Sequence, residues 1–148
     1  MTVLYAAREL EEILDSVPGR LADYSDAVAG KPRAPGKWSR KQILGHLIDS
    51  ASNNHQRFVR ASIEGKLAFP PYQQDSWVAL QGYAGAPWER IVRLWEEYNR
   101  HLVALIRRIP ADKYGASCVV EETKPVTLEF LVTDYVRHLK HHLEQIFS

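Results

Sequence analysis

YVRHLKHHLEQI, residues 135–146, places three of the chain's six histidines inside five positions. Tyr135, Leu139 and Ile146, with Leu128, Leu131 and Val132 before them, recur at the 3.6-residue period of an amphipathic helix. On such a helix residues four apart sit one above the other, so His138 and His142 leave the same face, whereas His141 points about 60° away from His138. An i, i+4 histidine pair is a two-ligand grip for zinc, nickel, copper or iron. The same residues would also complement the negative pole of a helix C-terminus, and the pair alone does not separate the two readings.

Outward from this helix, the chain reads as three more. Leu4, Leu10, Ile13, Leu14, Val17, Leu21 and Tyr24 mark a helix over residues 4–24, which Pro18 should kink or split. Residues 25–37 are rich in Gly and Pro and read as loop. Ser39 with Gln42 forms a capping-box pattern that opens a helix over Arg40–Glu64, stopped by Gly65. Residues 65–86 make a long, aromatic-rich connection with one short helical turn at residues 75–80. Pro87 opens a helix to about Arg108, with Trp88, Ile91, Trp95, Leu102 and Ile106 on its inner stripe. A second connection spans residues 109–126, and Thr127 suits the N-cap of the last helix. Four helices without strand-like alternation predict an all-α four-helix bundle filling residues 1–148 as one domain. Both connections are long enough to cross the bundle.

Within 148 residues, 25% charged side chains and a net charge of +1 leave no basic footprint for nucleic acid. The solitary Cys118 excludes an internal disulfide framework and fits a reducing compartment. The N-terminal stretch lacks a basic start followed by a long apolar run, and no segment reaches membrane-spanning length. The expectation is a cytoplasmic protein with neither a membrane nor a nucleic acid as its partner. More apolar surface lies in the connections and first helix than four helices would hide, which predicts a homodimer.

The second helix carries His46, and Ser50, Asn53 and Arg57 fall within about 40° of it along one stripe. Asp49 sits on the neighbouring edge, placed either to orient a ring nitrogen or to bond a nearby loop. Asn53 also reads as a satisfied buried amide, and Arg57 as a solvated charge. Asn99 lies in the apolar stripe of the third helix, where a polar side chain needs a partner. His55, His101 and His141 point away from the other histidines.

GKWSRKQILGHLIDSASNN (residues 36–54) and TDYVRHLKHHLEQI (residues 133–146) together resemble the DinB-like, or YfiT-like, family of metal-dependent enzymes, over nearly the whole chain. The family pattern of one histidine on the second helix and two, four apart, on the fourth carries over to His46, His138 and His142, separated by roughly 90 residues. The resemblance implies an up-down-down-up bundle, commonly dimeric, binding a divalent ion such as nickel or zinc. Characterised relatives include thiol S-transferases, so a low-molecular-weight thiol is the implied cosubstrate.

If those three histidines hold one cation, their ring nitrogens should lie about 3 to 3.5 Å apart, each 2.0 to 2.2 Å from the ion. Asp49, Asp134 and Gln145 are placed to orient the rings, and Asn53, Arg57 and Asn99 are candidates to line the site. A divalent ion there would acidify either a water or a thiol, so hydrolysis and thiol transfer are both open. The leading expectation is a transferase that activates a low-molecular-weight thiol for attack on a small-molecule electrophile, with a metal-dependent hydrolase as the alternative. A non-catalytic, stress-related metal-binding protein is the reading from a different class.

Overall fold

The computed structural model describes residues 2–120 and 124–148. Its four long helices are α1 (Thr2–Ala22), α3 (Arg40–Glu64), α5 (Trp88–Arg108) and α6 (Leu128–Phe147). Two short ones, α2 (Asp26–Ala29) and α4 (Gln74–Gln81), lie in the connections, as do the strands β1 (Lys66–Phe69), β2 (Ser117–Val120) and β3 (Val126–Thr127). Helix α3 starts and stops where its signals stand. Ser39 Oγ accepts from Gln42 N while Gln42 Oε1 accepts from Ser39 N, and Gly65 ends the helix at φ 76°. Thr127 Oγ1 caps α6 by accepting from Phe130 N.

Hydrogen bonds across the bundle fix the direction of each helix. Along α1 and α5 the partners run in opposite order, with Trp88 bonding Leu21, Arg100 bonding Leu14 and Arg107 bonding Glu11. Along α1 and α6 they run in the same order, Lys140 to Glu9 and Tyr24 to Ile146. Strands β1 and β2, which follow α3 and α5, pair in parallel through Lys66↔Ser117 to Phe69↔Val120, so α3 and α5 end at the same pole. Helix α6 leaves that pole after β3, which pairs antiparallel to β2. The order is up-down-down-up. Two parallel neighbours in sequence need a connection that returns the length of the bundle, and residues 65–87 supply it.

The core is built from one stripe per helix: Leu10, Leu14 and Leu21 of α1, Leu44, Leu47 and Phe58 of α3, Trp95 and Leu102 of α5, and Val132 and Leu139 of α6 are all sealed from solvent. Full burial of each such side chain contributes on the order of 1.5–3 kcal/mol before entropy is counted.

Three expectations need correction. Pro18 does not split α1, which runs unbroken through it. Proline leaves the carbonyl four residues earlier without its helical donor, and here Arg100 Nη2 of α5 donates to that Leu14 oxygen at 3.0 Å. The segment 25–37 is not all loop, since Ser25 accepts from Val28 N and caps α2. The connections are not strand-free, because β1, β2 and β3 make a small sheet beneath the C-terminal ends of α3 and α5. Residues 121–123 of the second connection lie outside the described residues.

Candidate metal centre

Because α3 and α6 are antiparallel neighbours, the start of α3 meets the end of α6, and Arg40 Nε donates to Ile146 O at 2.8 Å. One turn and a half further along α3, His46 faces His138 and His142. His46 Nε2 stands 3.5 Å from His138 Nε2, and His138 Nε2 stands 3.1 Å from His142 Nε2. One nitrogen from each of the three falls within 4.8 Å of the others. Nitrogens held tetrahedrally at 2.0–2.1 Å from zinc would be separated by about 3.4 Å, so this spacing fits one divalent ion. His141 has its ring 5.4 Å from that of His142 and is not part of the convergence.

One ring is set to present its lone pair inward. His142 Nδ1 donates to Gln145 Oε1 at 2.9 Å, which leaves Nε2 as the bare nitrogen facing His138. Trp38, just before the α3 cap, lies over His46 with ring centroids 5.3 Å apart. Burial, then the neighbouring histidines, pushes the His46 pKa down to about 3; burial and His142 push His138 down to about 4, and burial lowers His142. Three imidazoles kept neutral in one place are ligands ready to bind without first losing protons.

The other candidates are placed differently. Asp49 Oδ1 accepts from Tyr83 Oη at 2.7 Å and from Gln81 Nε2 at 3.0 Å, so the carboxylate ties the crossing segment to α3. Its burial raises its pKa against those two bonds. Asp134 turns outward to Arg137, whose Nη2 reaches it at 2.6 Å, and touches the histidines only through its charge on His138. Asn53 and Arg57 lie about 10 and 16 Å along α3 from His46 by helical rise. Asn53 Nδ2 donates to the Asp49 carbonyl, while Arg57 stacks 5.4 Å from the Phe69 ring. Asn99 is wholly buried, donating to Trp95 O and accepting from Tyr135 Oη at 2.6 Å. The structure therefore does not gather Asn53, Arg57 and Asn99 around the histidines. The groove is fed by α3 and α6, without the contribution expected from α5.

Sequence reasoning missed Trp38, Gln81 and Tyr83. Trp38 had a signal in its position just before the cap. For the other two the only trace was the aromatic density of the crossing segment. His55, which points away from the cluster, has Nδ1 2.9 Å from Tyr98 Oη.

Fold and site together define an up-down-down-up helical bundle with three histidines converging at one pole. The model of the DinB superfamily matches residues 9–146, and the chain belongs to that superfamily. YfiT of Bacillus subtilis, provisionally named a metal-dependent hydrolase, is 28% identical over 140 residues, covering 91% of this chain and 79% of YfiT. A protein from Oceanobacillus iheyensis with the same provisional name is 24% identical over 139 residues, 94% of this chain and 80% of its own. The solved structure of YfiT, described as having an unusual four-helix bundle topology, superposes with a TM-score of 0.81 at 27% identity over 95% of this chain and 83% of that one. The mycothiol-dependent maleylpyruvate isomerase superposes at 0.76 with 14% identity, over 95% of this chain and 59% of its own, a likeness of fold alone. Among the described residues no helix is long and apolar enough to cross a membrane.

Proposed function

We propose that the chain is a divalent-metal-dependent enzyme of hydrolytic type in which His46, His138 and His142 hold one nickel or zinc ion. The observation that carries this reading is the convergence of the three ring nitrogens at 3.1 and 3.5 Å. A divalent cation in that position supplies Lewis acidity and brings the pKa of a water or thiol toward neutrality. The chain's own residues do the rest. Gln145 fixes the His142 tautomer, Trp38 shields the outer face of His46, and the Asp49–Tyr83 bond holds the crossing segment against α3. Three protein ligands would leave a four-coordinate ion one position for a small-molecule substrate, as in catalytic rather than structural zinc sites.

The provisional names of the relatives favour water as the nucleophile. Transfer of a low-molecular-weight thiol uses the same centre and is the competing outcome. Elemental analysis of untagged protein tests the ion, and His46→Ala should lose it while the helical signal persists. Side-by-side assays with activated esters and with an electrophile plus thiol then separate the chemistries. Absence of divalent-ion uptake would end the enzyme reading. This reading treats residues 1–148 as one cytoplasmic domain that pairs into a homodimer, using the exposed Leu4, Tyr5 and Phe130 near the Thr2–Glu129 contact. Sedimentation equilibrium at micromolar concentration tests the pairing.

A further inference from the structure

Beside the histidines lies a cavity of about 560 Å³, within the range that holds small organic ligands. His142 and Gln145 of α6 form one wall, Arg33, Lys37 and Trp38 of the loop before α3 another, and Asp75 of α4 stands among them. Trp38 joins the cavity to the cluster, since the same indole lies over His46. The polar lining is lopsided, with two cations against one carboxylate.

Those two cations are not committed to acids of the fold. Arg100, Arg107, Arg137 and Lys140 each pair with a carboxylate. Among the described residues Arg33 and Lys37 form no ion pair, although Asp75 lines the same cavity; Arg33 Nη2 donates instead to the Ser148 hydroxyl at 2.9 Å. A half-buried indole offers an apolar platform between them and the histidines. Two unneutralised cations, a flat apolar floor and an adjacent histidine cluster match one kind of ligand.

We propose that this cavity binds a small carboxylate-bearing molecule, its acid group held by Arg33 and Lys37, its apolar body on Trp38, and its other end directed at His142. The site deepens the reading of the histidines as a catalytic centre by naming the class of substrate, but the binding itself needs no metal. Guanidinium and ammonium together recognise a carboxylate by charge-assisted hydrogen bonds that an amide of the same shape cannot match.

The test uses the metal-free protein, titrated with benzoate and with benzamide while the Trp38 indole N–H is followed by NMR, assigned through Trp38→Phe. Benzoate should shift that signal with a Kd at least about tenfold below that of benzamide, and added salt should erode the difference. The Arg33→Gln, Lys37→Gln double variant should abolish the preference and keep the benzamide response. Lys37→Gln alone should reduce it, which covers the case in which loss of the Arg33–Ser148 bond disturbs the loop. Equal affinities for the two probes, or a preference that survives the double variant, would overturn the assignment. Metal content is measured separately. A protein that takes up no ion but prefers benzoate keeps this site and loses the enzyme reading, and the converse result does the opposite.

Discussion

The ring of Tyr83 rests on the backbone of Gly45, where a built Cβ would stand 2.2 Å from ring atoms Cγ and Cδ2. That contact explains why a glycine precedes His46 in the middle of a helix despite its low propensity. It also lets the Tyr83 hydroxyl reach Asp49 at 2.7 Å, one turn further on.

Gly45→Ala should therefore destabilise the protein in spite of alanine's better helix propensity. The overlap lies at the root of a ring and not at a flexible tip, so the crossing segment must move, at a cost of about 1–3 kcal/mol typical of overpacking. Urea unfolding measures it. A variant as stable as the parent would mean that Tyr83 swings away freely, and the Asp49 bond with it.

The Tyr135–Asn99 pair makes a different prediction. Tyr135→Phe removes the only donor to Asn99 Oδ1 seen among the described residues and leaves a buried acceptor unpaired. The expected loss is about 1–3 kcal/mol in stability, with metal content unchanged because Asn99 sits in the core. A drop in bound metal at constant stability would return Asn99 to the site.

Much of this was legible in the sequence, and what was not has physical causes. Helices α3, α5 and α6 carried both an apolar stripe and end signals, so their limits could be read. The resemblance to the DinB-like family, which carried its ligand pattern onto His46, His138 and His142, told which helices had to meet. Strands β1 and β2 were invisible because four-residue segments such as KLAF and SCVV have no room for a periodic pattern. Their pairing joins positions about fifty apart, Leu67↔Cys118. Asp134 and Gln145 looked equivalent, one flanking each ligand helix turn. Arg137, three residues after Asp134, captured the carboxylate, whereas the Gln145 side-chain oxygen bonds no cation among the described residues and accepts from His142.

Gln145 should accordingly matter to the ion. Gln145→Leu keeps the volume but removes the acceptor for His142 Nδ1, freeing the ring to change tautomer. Loss of a ligand's outer hydrogen bond typically costs about 10–100-fold in metal affinity. Competition with a chromophoric chelator reads this out. Asp134→Asn, which breaks the outward pair with Arg137 and reaches His138 only through the lost charge, should change affinity far less, and the reverse ranking would mean the two roles are exchanged.

Acid should destabilise the metal-free protein through the same histidines. Folding lowers the pKa of His46 to about 3 and of His138 to about 4, from an ordinary value of 6.5. The unfolded chain therefore takes up protons first as pH falls. The stability these groups permit is intact above about pH 6.5 and is lost progressively from there toward 4 and then 3. Asp49 has the opposite sign, because its raised pKa favours the fold below 3.8 and loses that contribution as pH rises, so it only softens the lower end of the window. Urea midpoints in the presence of a chelator should fall steadily between pH 7 and 5, and a His46→Gln, His138→Gln double variant should show a flatter profile. Bound zinc or nickel selects the neutral imidazoles, so the loaded protein should hold its midpoint to lower pH before releasing the ion. Coincident curves with and without metal would show that the ion is held elsewhere.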